Sequence, residues 1–206
     1  MIIQITHLFF QGDLKAHERW YEKLHEWEKA LEGYKEKLKV APQNPELLLS
    51  KMRCLEALGE WGEVHNVSLE HWDTATTETQ HKMARMASAA AWGRKDWKSM
   101  ERYVSLLPRE TQDGAFYRAI VAINREQWTQ AQSLIELTRE LLDTEVTALS
   151  LESYQRAYPT VVCVQMLSEL EEVIEYKLVP ERRPVIKEMW WQRLQGSLLI
   201  TQKLLI

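Results

Sequence analysis

A chain of 206 residues, 45% of them apolar, is long enough to bury a substantial core, either as one domain or as an array of repeats. Its 26 basic and 30 acidic residues leave a net charge of −4, which excludes a global field that would draw in nucleic acid or an anionic membrane. Nine tryptophans against seven glycines and six prolines point to helices locked by large side chains and away from a turn-rich β fold, so the expected class is all-α.

Residues 1–13 show no sustained period: Leu8, Phe9 and Phe10 are followed by Gly12 and Asp13, and an irregular end is expected. The opening MIIQITHLFF lacks a basic leading region and a small-residue cleavage site, and it is too short to span a bilayer, so no direct membrane insertion is expected. Over 14–39 the pattern turns helical, with Trp20, Leu24, Trp27, Leu31, Tyr34 and Leu38 recurring every three or four residues among lysines and glutamates. Two helices are predicted, one ending near Glu26 and one running from about Trp27 to Val40.

Pro42 and Pro45 end that helix, and Asn44 is placed to cap the next, with Pro45 at its favoured first position. Leu48, Met52 and Leu55 form the apolar stripe, flanked by Leu47, Cys54 and Leu58, and Gly59 stops it. Trp61 opens a short helix through Val64, Val67 and Leu69 to Trp72. Residues 73–79 read as a polar loop, 82–92 as an alanine-rich helix ended by Gly93, and Trp97, Met100, Val104 and Leu107 as a stripe closed by Pro108. Phe116, Ala119, Ile120 and Ile123 mark another helix, and Trp128, Ala131, Leu134, Ile135, Leu141 and Leu142 a further one.

A repeat emerges. Trp27, Trp61, Trp97 and Trp128 each open the second helix of a pair, at spacings of 34, 36 and 31 residues, which is the tetratricopeptide period. One helix pair cannot bury its apolar face alone, so pairs stack and share a core. The expected architecture is therefore an α-solenoid of tetratricopeptide-like pairs over 14–143, with the tryptophans as core residues.

Beyond residue 143 the period lapses. Helices are predicted over 154–158 and 161–178, the latter striped by Val164, Leu167, Leu170, Ile174 and Leu178. Pro180 and Pro184 mark a connector, and Ile186, Met189, Trp190 and Leu194 begin a last helix. The chain ends on SLLITQKLLI, apolar and uncapped, as expected for a piece of a longer array.

No glycine-rich phosphate loop, GxSxG elbow, HExxH or kinase catalytic loop is present, so neither catalytic residues nor a cofactor are expected. The six histidines (His7, His17, His25, His65, His71 and His81) lack metal-site spacing and are expected at the surface. Cys54 and Cys163 lie far apart in apolar helical patterns and read as free thiols of a reduced, intracellular protein.

Two features are candidates for contact. Glu169, Glu171, Glu172 and Glu175 precede the basic Lys177, Arg182, Arg183 and Lys187 around the proline connector. A solvated face with local ion pairs is one reading, and an anion or acidic-peptide site at the four basic residues is the other. Adjacent Trp190 and Trp191 cannot both face one side of a helix, so Trp191 is a candidate partner contact.

The strings ELLLSKMRCLEALGEW, KMARMASAAAWG, DGAFYRA, LLDTEVTAL and MLSELEEVIEYKLVPERR followed by MWWQRLQG resemble the FAT domain of target-of-rapamycin kinases, over about 19–196. On that resemblance 144–196 are further FAT helices and 197–206 a non-matching tail. It implies a non-catalytic scaffold segment of a large serine/threonine protein kinase of the phosphatidylinositol-3-kinase-related class, whose catalytic and ATP-binding motifs lie outside this stretch. The implied partners are the remainder of the kinase (its kinase domain and neighbouring helical repeats) and subunits of the TOR complex. The implied setting is nutrient and growth signalling in the cytoplasm, with the family also found at lysosomal or other endomembranes and in the nucleus. The alternative from the repeats alone is a free-standing adaptor that binds a peptide or protein in its groove.

Overall fold

The computed structural model describes residues 17–150 and 154–204, and the irregular end predicted over 1–13 lies outside them. The described residues are predominantly helical, with no strand among them, and divide into two compact units, one up to Leu106 and one from Leu107. The first unit holds α1 (Glu18–Lys23), α2 (Trp27–Val40), α3 (Pro45–Ala57), α4 (Trp61–His71), α5 (Thr77–Arg94) and α6 (Trp97–Ser105). The second holds α7 (Gln112–Asn124), α8 (Trp128–Ser150), α9 (Tyr154–Leu178), a 3-10 turn (Pro180–Arg182) and α10 (Arg183–Leu204). Within each unit consecutive helices pack on one another, the stacking expected of a helical solenoid.

Each of the four tryptophans proposed to open a second helix is the first residue of one: Trp27, Trp61, Trp97 and Trp128. The turn in front of each is built the same way. His25, Gly59, Lys95 and Glu126, each two residues before its tryptophan, lie in the left-handed region at φ 58°, 73°, 59° and 57°. The next amide, of Glu26, Glu60, Asp96 or Gln127, donates to the carbonyl five residues back, at 2.9 Å in all four cases. The left-handed residue's own amide donates to the carbonyl three back. Carbonyls left over at the end of the first helix are thus satisfied, and the carbonyl of Glu26, Glu60, Asp96 or Gln127 accepts the first bond of the second helix.

The tryptophans themselves are not core. Trp27, Trp97 and Trp128 are half-buried and Trp61 is 40% exposed, whereas Ala30, Val64, Met100 and Ala131, three residues on, are fully buried. A first-turn side chain leans back toward the helix start and overhangs the turn, so burial begins one turn later. Trp20 and Leu24 likewise face outward, and the fully buried residues of the first unit include Met52, Cys54, Val64, Met83 and Met100.

Several boundaries differ from those predicted. Asn44 caps α3 through its side chain, as read from the sequence. The loop predicted over 73–79 is shorter, because Thr76 Oγ1 accepts the amide of Thr79 at 3.3 Å and starts α5 at Thr77. Gly93 does not end α5: the helix runs to Arg94, and Lys95 takes the left-handed cap. The predicted break near Pro159 is absent, since α9 is continuous with Ala157 and Thr160 buried on either side of the proline. Burial of that face outweighs the one backbone hydrogen bond that proline removes. His65, expected at the surface, is 7% exposed, its Nε2 lying 3.5 Å from Asp96 Oδ2.

Candidate interaction surface

The charged residues singled out in the sequence converge where α9 turns into α10. A helix ends with carbonyls that have no intrahelical partner. Here Arg183 supplies the donors: Nε reaches the Tyr176 carbonyl at 2.8 Å and Nη2 the Lys177 carbonyl at 3.2 Å. Its guanidinium also lies 5.5 Å from the centroid of the Tyr176 ring, and the Lys187 ammonium lies 5.8 Å from the same ring. Arg182 Nε pairs with Glu175 Oε1 at 3.0 Å, holding the 3-10 turn against the last turn of α9.

One helical layer back, Glu172 joins the two helices. Its Oε2 accepts from Trp190 Nε1 at 2.7 Å and from Arg193 Nη1 at 2.8 Å, while Oε1 accepts from Arg193 Nη2 at 2.8 Å. The Trp190 ring packs 5.4 Å from Tyr176, and Ile174 and Ile186 are buried. Burial pushes the Glu172 carboxyl up, but hydrogen bonds from Arg193 and Trp190 and the Arg193 charge outweigh it and hold the group below the usual glutamate range. Glu171 accepts a fork from Arg139 of α8, at 2.6 and 2.7 Å, tying α8 to α9.

Of the five residues read from the sequence as contacts, Arg182 and Arg183 are therefore engaged within the hairpin. Lys177 and Lys187 are exposed, Lys187 with its ammonium over the Tyr176 ring, and Trp191 is 58% exposed, in contrast to half-buried Trp190. Glu172, Tyr176, Trp190 and Arg193 form the junction but were not singled out together. Their register, with Glu172 and Tyr176 four apart on α9 and Trp190 and Arg193 three apart on α10, was the available signal. Beside them Glu169, Val173, Trp190, Arg193 and Leu194 line an open groove of about 430 Å³.

Among the described residues no group of three or more His, Cys, Asp or Glu side chains is placed to hold a metal ion, and no helix is long and apolar enough to cross a membrane. The arrangement at the hairpin offers donors and rings for holding helices together, and leaves Lys177, Lys187 and Trp191 exposed beside Glu181 and Glu188. It brings together no nucleophile with a base.

Comparison with known proteins gives the arrangement a context. The model of the FAT domain matches residues 84–200, more than half of the chain. The chain is 52% identical to the serine/threonine-protein kinase mTor of Drosophila melanogaster over 186 residues, covering 90% of this chain and 8% of that protein. It is 43% identical to the target of rapamycin homolog of Caenorhabditis elegans, over 86% of this chain and 8% of that protein. Against serine/threonine-protein kinase TOR2 of Saccharomyces cerevisiae it is 40% identical, over 93% of this chain and 8% of that protein. The chain thus spans under a tenth of the length of the relatives it matches. The matched segment is helical and non-catalytic, and the kinase domain of these proteins is not part of it. The resemblance read from LSELEEVIEYKLVPERR and MWWQRLQG is the right one: this chain belongs to the FAT domain family.

Proposed function

We propose that the chain is a scaffold segment of a target-of-rapamycin serine/threonine kinase, supporting the kinase domain and the assembly of its complex in nutrient and growth signalling. The observation that carries the reading is the use made of charge at the hairpin. Arg139, Arg182, Arg183 and Arg193 are each committed to an acidic side chain or a helix-end carbonyl, so the polar chemistry goes into fixing helices. Similarity to kinases from fly, worm and yeast over nearly the whole chain supports the choice of parent protein.

On this reading the partners are the remainder of the kinase and subunits of its complex, met in the cytoplasm. Lys177, Lys187 and Trp191, all exposed, make the contact, while Arg182 and Arg183 shape the surface that presents them. The purified chain has no phosphotransfer activity of its own. ATP turnover by the pure protein that disappears on mutating one of its own residues would contradict the reading; turnover at the level of a buffer control supports it.

A further inference from the structure

Helix α1, Glu18–Lys23, has no fully buried residue, whereas each of α2 to α6 contributes residues to the core. Its Trp20 is half exposed, and Leu24 just past its end is 66% exposed. What holds it is polar. Glu22 accepts a hydrogen bond from the Tyr34 hydroxyl of α2 and lies 3.8 Å from Arg53 Nη2 of α3, and Glu18 pairs with Lys37 Nζ of α2. Gly33 provides the room: a Cβ there would meet Glu18 Cγ at 2.5 Å.

A six-residue helix is far too short to persist alone in water, so α1 exists by virtue of its docking. Apolar burial, the usual source of docking energy, is only partial in it: Trp20 is half exposed and Tyr21 half-buried. The Glu18 and Glu22 side chains are 12% and 17% exposed, but their partners Lys37 and Arg53 are 44% and 49% exposed, so each pair contributes on the order of 1 kcal/mol and weakens as salt screens it. The helix therefore belongs at the low end of the local stabilities in its unit.

We propose that α1 is an electrostatic latch that undocks from α2 and α3 as a unit while the rest of the first unit stays folded, and that salt opens it. Opening uncovers the Tyr34 hydroxyl, Lys37 and Arg53 around the cleft at Gly33, a basic face that closing covers with two carboxylates four residues apart.

The test is amide hydrogen exchange on the whole chain, followed by mass spectrometry at about 50 and 500 mM sodium chloride. At low salt, the amides of α1 exchange at least about tenfold faster than those of Trp27–Val40. High salt speeds α1 severalfold and leaves Trp27–Val40 unchanged. The Glu18→Gln, Glu22→Gln variant exchanges at the fast rate at both salt concentrations. Protection of α1 equal to that of Trp27–Val40, rates in α1 indifferent to salt, or opening of α1 only together with α2 would each overturn the proposal.

Discussion

Gly59 and Lys95 hold the same place in successive helix pairs, two residues before Trp61 and Trp97, with φ of 73° and 59°. Glycine adopts that conformation without strain, whereas a side chain pays about 1 kcal/mol for it. Only one of the four equivalent turns carries the residue that the backbone favours.

Lys95→Gly and Glu126→Gly are therefore expected to stabilise the protein by roughly 0.5–1 kcal/mol each, reduced a little by the greater freedom of glycine in the unfolded chain. Gly59→Ala is expected to destabilise by about 1 kcal/mol although nothing lies within 4 Å of its added methyl, because the conformation and not space is at fault. Urea unfolding of the three variants checks this. A stabilised Gly59→Ala would show that the turn relaxes out of the left-handed region.

Gly114 is required for the opposite reason. It has room for no Cβ, which would fall onto the Pro108 carbonyl oxygen and within 2.9 Å of Arg118 Nη1 and Thr111 Oγ1. Arg118 Nη2 donates to the Leu107 carbonyl at 2.5 Å, and Nη1 to the carbonyls of Pro108 and Gly114 at 3.3 and 3.0 Å, so the backbone there is held in place. Gly114→Ala is expected to destabilise by at least about 2 kcal/mol. Gly93→Ala, in open space within α5, should instead stabilise by about 0.5–1 kcal/mol. Thermal unfolding followed by circular dichroism separates the two.

Replacing Glu172 by Gln removes the charge that Arg193 and Trp190 read, and a loss of about 1–2 kcal/mol is expected at pH 7, moderated by the 43% exposure of the Arg193 side chain. The folded state holds this carboxyl below its ordinary value, so its contribution is complete above the unfolded value of about 4.3 and is lost as pH falls through the folded value. The gap between wild type and Glu172→Gln should be constant from pH 7 to about 5 and narrow below about pH 4. A gap independent of pH would mean that the charge contributes nothing.

Cys54 is fully buried in α3, and burial, then the Glu22 charge, pushes its thiol up to about 11. Only about one molecule in a thousand carries the thiolate at pH 8. With a water-soluble disulfide reagent at that pH, Cys54 should react only as fast as the protein unfolds, and urea should release it. Prompt modification of Cys54 in the native protein would show that α3 opens locally.

The helix starts were legible because they rest on local chemistry. A tryptophan two residues past each turn marks the first residue of α2, α4, α6 and α8, and Asn44 before Pro45 spells out a cap. Thr76 was missed because TTET looks like loop although its first threonine caps, and Gly93 was over-read because a glycine in a helix need not stop it. Tryptophan spacing gave the repeat but not the depth, since a first-turn residue sits at the rim. The hairpin was the least legible part. Glu171, Glu172 and Glu175 read as one acidic cluster, yet they serve Arg139, Arg193 and Arg182, which lie 32, 21 and 7 residues away on three different elements. No local pattern encodes such pairings, because packing of α8, α9 and α10 decides them.

The scaffold reading is tested most directly in a full-length target-of-rapamycin kinase carrying this segment with Lys177→Glu and Trp191→Ala, two exposed positions, alone and together with Lys187→Glu, which also removes the contact with the Tyr176 ring. The quantities to measure are the subunits that co-purify with the kinase and the phosphate transferred per mole of it. The predicted result is a severalfold loss of assembled complex with a parallel loss of activity, while the segment stays folded by hydrogen exchange. Unchanged assembly and unchanged activity in these variants would contradict it.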